Sequence, residues 1–290
     1  MKVKCVVNPV AGKGRTEKSW QGTLKTLQKL GFYISWDFTE YRGHGKEISS
    51  KAIEQGYQMI VAVGGDGTLN EVINGLGDSN VKVGLIPTGT GNDFARTLEI
   101  PLDPIEASIL LGQLRTKLVD LGQVNGRKFL NMAGIGVDAN VAQYINEYDG
   151  FLKGHAAYLL AMLKAILKYK PIPVQIKSCQ GDMFYNVIMI AVANAKHVGG
   201  GIPIAPEAVI DDGNLDIIII EEMSKLEIIK SIPLLLKGEH LSHPKVHNFK
   251  CKHLEGISEE SVLVHADGDI IGYLPQTFYI EKKSIEIIVP

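Results

Sequence analysis

Short apolar runs alternate with longer amphipathic stretches along the first part of the chain. The runs 3–7, 33–38, 59–63 and 83–86 have strand length and are rich in β-branched and aromatic residues, whereas 16–30, 46–55 and 104–111 carry apolar residues at helical spacing. Such alternation predicts a parallel sheet covered by helices. The rhythm changes after Leu114. From 115–120 onward the apolar runs are closely spaced, at 128–133, 174–178, 184–193, 215–221, 262–266, 276–281 and 285–289, as expected of an antiparallel sandwich. The reading is therefore an α/β N-terminal domain with a parallel Rossmann-like sheet, residues 1–122, then a C-terminal β-sandwich domain with inserted helices, residues 123–290, and an interdomain cleft as the place for chemistry. No internal repeat appears.

Three strand ends carry candidate chemistry. The strand 59–63 runs into Gly64-Gly65-Asp66-Gly67-Thr68-Leu69-Asn70-Glu71. Glycines there admit positive φ and let backbone N–H groups approach a ligand, and a helix opening at about Thr68 aims its N-terminal dipole at the same point. Such a turn suits phosphate. Asp66 would be repelled by phosphate unless a divalent cation lay between them, so the pattern points to Mg-ATP. A tight βα connection without a ligand is the plainer explanation of one such turn, and two further turns weaken it. The strand 83–86 ends in Pro87-Thr88-Gly89-Thr90-Gly91-Asn92-Asp93-Phe94-Ala95-Arg96, and 3–7 ends in Asn8-Pro9-Val10-Ala11-Gly12-Lys13-Gly14-Arg15. Ligands of open parallel sheets bind beyond the carboxyl ends of the strands, where three turns can converge. Gly134-Ile135-Gly136-Val137-Asp138-Ala139 spells GxGxxA but lacks the following acid-ended strand of a dinucleotide site, and reads as a close-packing turn. No GxxxxGK[ST] and no HRD or DFG set occurs, which argues against a Walker-type NTPase and a protein kinase.

The motifs NPxxGKG, GGDGTxNE and PxGTxNDFAR, in this order, resemble the diacylglycerol kinase catalytic-domain family, with small bacterial lipid kinases closest in layout. The likeness continues through Asn194-Ala195, Gly199-Gly200-Gly201, Ala205-Pro206, Ala208, Asp211-Asp212-Gly213, Leu215-Asp216 and Asp267-Gly268, and so covers nearly the whole chain. NAD kinases share GGDGT but not NDFAR or the later elements. The resemblance implies an ATP- and Mg-dependent kinase acting on a lipid hydroxyl. It implies that ATP is held by Asn8, Pro9, Val10, Ala11, Gly12 and Lys13, by Thr39, by Gly64, Gly65, Asp66, Gly67, Thr68, Leu69, Asn70 and Glu71, and by Thr90. It implies Asp267 as general base, with Asp66 and Asp269 completing the catalytic set, although Asp269 stands where the family has glutamate. A structural Mg2+ is implied at the Asp212 carboxylate and the carbonyls of Val209 and Asn214, with Asp93, Asp120 and Lys13 linked to it through waters and hydrogen bonds. From the residues alone, Asp267-Gly268 is equally a hairpin turn and 209–214 equally a plain turn before a strand.

Composition narrows the partners. At 290 residues, 45% hydrophobic and 21% charged, the chain can bury two domain cores. Formal net charge is −2 and neither half is basic, which argues against a nucleic-acid platform. Cys5, Cys179 and Cys251 show no CxxC spacing and fit idle thiols in a reducing compartment. The chain enters a strand at once without a secretory signal, so the expected location is cytoplasmic, with peripheral association at the inner face of the membrane where a lipid substrate is met. The apolar stretch 156–167 is too short to span a bilayer and reads as a buried helix, with Lys153, Lys164, Lys168 and Lys170 as its rim. His240, His243, His247 and His253 read as exposed loop histidines, not zinc ligands, while His197 lies nearer the expected substrate. Three function classes remain: a lipid kinase acting on diacylglycerol, phosphatidylglycerol, ceramide or a long-chain base; an NAD kinase-like enzyme; and a non-catalytic nucleotide or lipid sensor. An exposed sheet edge would allow a homodimer.

Overall fold

The computed structural model of the protein describes residues 1–137, 139, 141, 164–165 and 168–290. They form two compact units, Met1–Val119 with Lys283–Pro290, and Asp120–Lys282.

The first unit is built on four parallel strands, β1 (Lys2–Val7), β2 (Tyr33–Phe38), β3 (Met59–Gly64) and β4 (Lys82–Pro87), in the order β2-β1-β3-β4. The last strand of the chain, β15 (Gln276–Ile288), brings its end alongside β4 in parallel, with Ile287 opposite Val83. Helices α1 (Ala11–Lys29), α2 (His44–Glu54), α3 (Asp66–Asn74), α4 (Asp93–Thr97) and α5 (Pro104–Leu111) connect the strands or follow the last of them. β1 and β3 are buried on both faces; β3 reads as an unbroken apolar run, and β1 does so apart from Lys4, whose ammonium pairs with Asp37. β2 is the edge and stays half exposed. α5 starts where the Asp103 carboxylate accepts the amides of Ile105 and Glu106 and Pro104 presets the first turn. Because β1 to β4 are parallel, the turns that leave them share one edge of the sheet, and this positions the nucleotide-type motifs.

The second unit is antiparallel. β7 (Met132–Gly136), β8 (Ile172–Ser178), β9 (Gly181–Ala193), β12 (His253–Ile257), β13 (Leu263–Ala266) and β14 (Asp269–Tyr273) form the path β14-β13-β7-β9-β8-β12-β15, and β10 (Leu215–Glu221) joins β9 to β11 (Val246–Cys251). β5 (Thr116–Val124) pairs with β6 (Arg127–Phe129). β9 pairs with β8 through its first half and with β7 and β10 through its second. Beyond the register shift opposite Ile220 and Glu221, side chains alternate along it: Ile190 and Val192 enter one apolar cluster with Phe129, Leu254 and Phe278, while Ala191 and Ala193 enter another with Met132, Ile218 and Met223. Both faces of β10 and of the second half of β9 are thus covered, while the first half of β9 is largely exposed. Helix α6 (Lys225–Lys237) follows β10.

The parallel sheet and the sandwich stand as read from the sequence, but several elements differ. The run 128–133 is broken between β6 and β7, because the amides of Leu130 and Asn131 leave the ladder to donate to the Asp267 carboxylate. The runs 276–281 and 285–289 are one strand, β15, that passes through a left-handed residue at Lys283. β11, β12, β14 and α6 were not anticipated. The loop-histidine reading fails accordingly: His247 lies on β11 and His253 on β12, and His240 is buried in a short 3-10 turn, where Nε2 donates to the Ile204 carbonyl at 2.9 Å. Burial lowers the His240 pKa, against the opposing pull of that carbonyl. Gly136 is a close-packing turn as read, with φ of 101° and a missing Cβ that would lie 2.5 Å from the Ile188 carbonyl oxygen. Most of the expected helix 156–167 lies outside the described residues. Among those described, no helix is long and apolar enough to cross a membrane.

Candidate active site

The three nucleotide-type turns meet at the carboxyl edge of the parallel sheet. Asn8, leaving β1, donates from Nδ2 to Thr68 Oγ1 at 3.1 Å and accepts the Val10 amide on Oδ1 at 3.2 Å, so it ties the first turn to the start of α3. Thr16 and Thr88, both fully buried, share a hydroxyl hydrogen bond of 2.5 Å between α1 and the third turn. The Gly64 carbonyl accepts the amides of Thr88 and Gly89. Asp66 Oδ1 accepts the Phe94 amide at 3.0 Å, within the first turn of α4. One carboxylate oxygen of Asp66 therefore orients the third turn.

The glycines owe their identity to close approach more than to backbone freedom. Positive φ was expected at Gly64, Gly65 and Gly67, and none of the three has it; Gly65 is extended, with φ of −97°. A Cβ on Gly65 would lie 3.1 Å from the Gly89 Cα, and one on Gly89 would lie 2.4 Å from the Gly65 Cα, so the second and third turns pack backbone on backbone. Left-handed conformation belongs instead to the first turn, at Gly12, Lys13 and Gly14, and a Cβ on Gly12 would fall 2.0 Å from the Thr88 carbonyl oxygen. Gly67 faces open space. The Lys13 side chain is exposed, as are Val10 and Thr90, and Pro9 and Ala11 are half-buried beside them.

Other residues of the expected ATP set serve the scaffold. Leu69 is fully buried and Asn70 nearly so. The Glu71 carboxylate accepts the Gly43 amide at 2.7 Å and the Gly45 amide at 2.9 Å, holding the N-terminus of α2. Thr39 continues β2, with its amide on the Val7 carbonyl at 2.8 Å. Asp93 is buried in the first turn of α4.

In the second unit Asp267 is the centre of a polar knot. It takes a left-handed φ of 47°, an uncommon state for a residue with a Cβ. Its Oδ2 accepts the Leu130 amide at 2.7 Å, and its Oδ1 the amides of Asn131 at 2.9 Å and Met132 at 3.3 Å. Asn194 extends the network, with Nδ2 donating to the carbonyls of Leu130 and Asp120. Asp120, almost wholly buried, accepts the Gly213 amide on Oδ2 at 2.7 Å. A chain of direct bonds thus runs from Asp267 to the Asp-Asp-Gly turn. Asp269 is engaged by Arg127 in a short ion pair, and the Gly268 amide donates to His265 Nδ1. Arg127, Asn131 and His265 escaped sequence reasoning as site residues.

The Asp-Asp-Gly turn does not fit a resident Mg2+. Both Asp212 carboxylate oxygens are occupied: Oδ1 accepts the Asn214 amide at 2.9 Å and Oδ2 accepts Lys250 Nζ at 2.7 Å. Lys250 also approaches Asp216 at 3.5 Å. The ammonium supplies positive charge that a metal would otherwise bring to the turn, and the Val209 carbonyl takes the Asp212 amide at 3.4 Å. Burial pushes the Asp216 carboxyl up to about 6, outweighing the pull of Lys250. For Lys250 burial works downward, but its bonds to Asp212 and Asp216 raise its pKa above the usual value. Among the described residues, no group of three His, Cys, Asp or Glu could hold a metal ion. Lys250 is the residue the sequence reading missed here. A shallow cavity of about 630 Å3 near Tyr185, Glu221 and Lys245 contains none of the expected site residues.

Residues 2–124 match the model of the diacylglycerol kinase catalytic domain, and residues 131–289 that of the YegS C-terminal NAD kinase beta sandwich-like domain. Diacylglycerol kinase of Staphylococcus saprophyticus is 31% identical over 291 residues, covering 100% of this chain and 95% of that protein. Diacylglycerol kinase of Bacillus subtilis is 30% identical, covering 100% and 96%. The crystal structure of a diacylglycerol kinase from Bacillus anthracis superposes with a TM-score of 0.83 at 26% identity, covering 100% of this chain and 97% of that one.

Proposed function

Because the chain belongs to the diacylglycerol kinase family, phosphotransferases with an alcohol acceptor, we propose that it transfers the γ-phosphate of Mg-ATP to the hydroxyl of diacylglycerol or a related lipid such as phosphatidylglycerol, ceramide or a long-chain base. The observation that carries the ATP half is the meeting of three turns at one sheet edge, locked by Gly65 against Gly89 and Gly12 against Thr88. Amides and the basic Lys13 and Arg15 offer a cradle for phosphates, and Mg2+ enters with the nucleotide as part of the substrate.

In this reading Asp66 has two duties. Its Oδ1 fixes α4, and its other oxygen would hold the cation that accompanies the phosphates. Asp267 accepts the proton of the lipid hydroxyl as that oxygen attacks the γ-phosphorus in line and ADP departs. Three backbone amides hold its carboxylate to one orientation, and that preorganisation favours a base which must not rotate away from its substrate. Asp269, paired with Arg127, stabilises the loop that presents Asp267 and touches no substrate. Asp120 links that loop to the Asp-Asp-Gly turn by direct hydrogen bonds. We place the enzyme on the cytoplasmic side, acting at the membrane surface without spanning it.

The test is transfer of labelled γ-phosphate from Mg-ATP to a panel of detergent-dispersed lipids, with NAD as a parallel acceptor. A chloroform-extractable labelled product supports the proposal and names the acceptor class. Label on NAD would move the protein to the dinucleotide reading, and no transfer at all would leave a nucleotide or lipid sensor.

A further inference from the structure

Helix α6 carries an apolar face that the protein's own core does not use. It opens on a capping box between Ser224 and Glu227 and closes on a left-handed Gly238, yet none of its residues is fully buried. Ile228 and Leu235 pack on the apolar cluster beneath. At about 100° per residue, Leu226, Ile229, Pro233 and Leu236 fall together on another side, within an arc of about 80°. That side faces water: Leu226 is 71% exposed, Ile229 44% and Leu236 48%. A helix seated on a core by one stripe ordinarily turns polar residues outward, and this one has a second apolar stripe. Phe184, also exposed, lines a shallow cavity beside the capping Ser224, with Glu221, Glu222 and Lys245 around it.

The charges say what covers it. Lys225 borders the stripe on one side, and Lys230 and Lys237 border it on the other. The helix has one acid, Glu227, whose carboxylate is engaged by the Ser224 amide and by Lys245, while Glu222 and Glu239 lie beyond its ends. Aliphatic chains edged by ammonium groups match an anionic bilayer, with the stripe at the acyl boundary and the lysines among the headgroup phosphates. A twofold pairing of two α6 helices would instead bring lysine rows together. We propose that α6 is the surface by which the protein docks onto an anionic lipid bilayer. The proposal deepens the lipid-kinase reading and rests on it for its purpose, but docking is measured without catalysis, so the two fail separately.

The experiment is co-sedimentation of the full chain, without nucleotide, with phosphatidylglycerol-containing and pure phosphatidylcholine vesicles at low and high salt. Wild type should pellet with the anionic vesicles and be released by salt. The variant Leu226→Gln/Ile229→Gln/Leu236→Gln should bind at least about tenfold more weakly. It should phosphorylate a detergent-dispersed acceptor at the wild-type rate. The variant Lys230→Glu/Lys237→Glu, which keeps the stripe, should lose the preference for anionic vesicles. Wild-type protein that ignores vesicles, a triple variant that binds them unchanged, or a wild-type dimer that the triple variant turns into a monomer without loss of vesicle binding would each overturn the proposal.

Discussion

Asp267 holds three backbone amides and, under the proposed function, is also the general base, so a substitution there must be read for both. Removing its carboxylate leaves the buried amides of residues 130–132 without an acceptor, each at a cost of about 1–3 kcal/mol. Asp267→Ala should therefore lose phosphoryl transfer and also melt at lower temperature. Asp267→Asn retains an acceptor oxygen and should be less destabilised, while its turnover falls at least about 100-fold and its KM for Mg-ATP stays near wild type. Near-normal turnover in the Asn variant would remove the base role. Lys250 poses the other test at this scale. With its ammonium on Asp212 and close to Asp216, the turn needs no metal, so adding Mg2+ or a chelator without nucleotide should not move the melting temperature. A clear rise with Mg2+ would mean that the metal displaces the lysine. Neither Lys250 nor Arg127 was legible in the sequence, because their partners lie 38 and 142 positions away and nothing local marks the pairing. The turn that holds Asp66 was legible because glycines after an apolar run announce themselves locally, whereas Asp267-Gly268 read equally as a hairpin turn and was singled out only by the family resemblance.

Elements differed in legibility for a similar reason. β3 is apolar throughout, and β1 and β4 each carry an apolar run of at least three residues, so all three were plain in the sequence, whereas β11 mixes His247, Asn248 and Lys250 among its apolar residues, β14 is short and opens on an aspartate, and the proline inside α6 argues against a helix. Glu71 shows how one element can hold another. Its carboxylate on α3 takes two amides at the start of α2, so Glu71→Gln, with one acceptor oxygen, should cost about 1–3 kcal/mol in urea unfolding. Unchanged stability combined with a raised KM for Mg-ATP would instead make Glu71 a nucleotide ligand. The 3-10 turn after α6 gives a pH test. His240 is held neutral by burial, with its native pKa below the ordinary 6.5. At a pH between the native value and 6.5 the unfolded chain binds a proton that the folded protein does not. Its contribution to stability is therefore complete above about pH 6.5 and is lost as pH falls through the lowered native value. The His240→Gln variant should show a flatter loss of urea midpoint between about pH 7 and pH 5 than the wild type, and an identical slope would sink this account.

At the scale of the whole molecule, the chain does not finish one unit before beginning the next. Residues 283–290 return to the first unit, where Ile285, Ile287 and Ile288 are buried and Glu286 bonds Lys82 and Thr116. Those two hydrogen bonds hold the Glu286 pKa below its usual value. The reading of the sequence ended the first domain at 122, because the order of elements carries no sign that the last strand comes back. Burying each isoleucine contributes about 1.5–3 kcal/mol, so the three together supply an amount comparable to the whole net stability of a domain, about 5–15 kcal/mol. Residues 1–122 expressed alone should therefore lack a cooperative unfolding transition in urea. The same fragment joined through a flexible linker to 283–290 should regain one, because the linker adds only the slowly growing entropy of loop closure. Cooperative unfolding of the bare fragment, at the midpoint of the linked one, would show that the returning strand is dispensable to the nucleotide edge of the sheet.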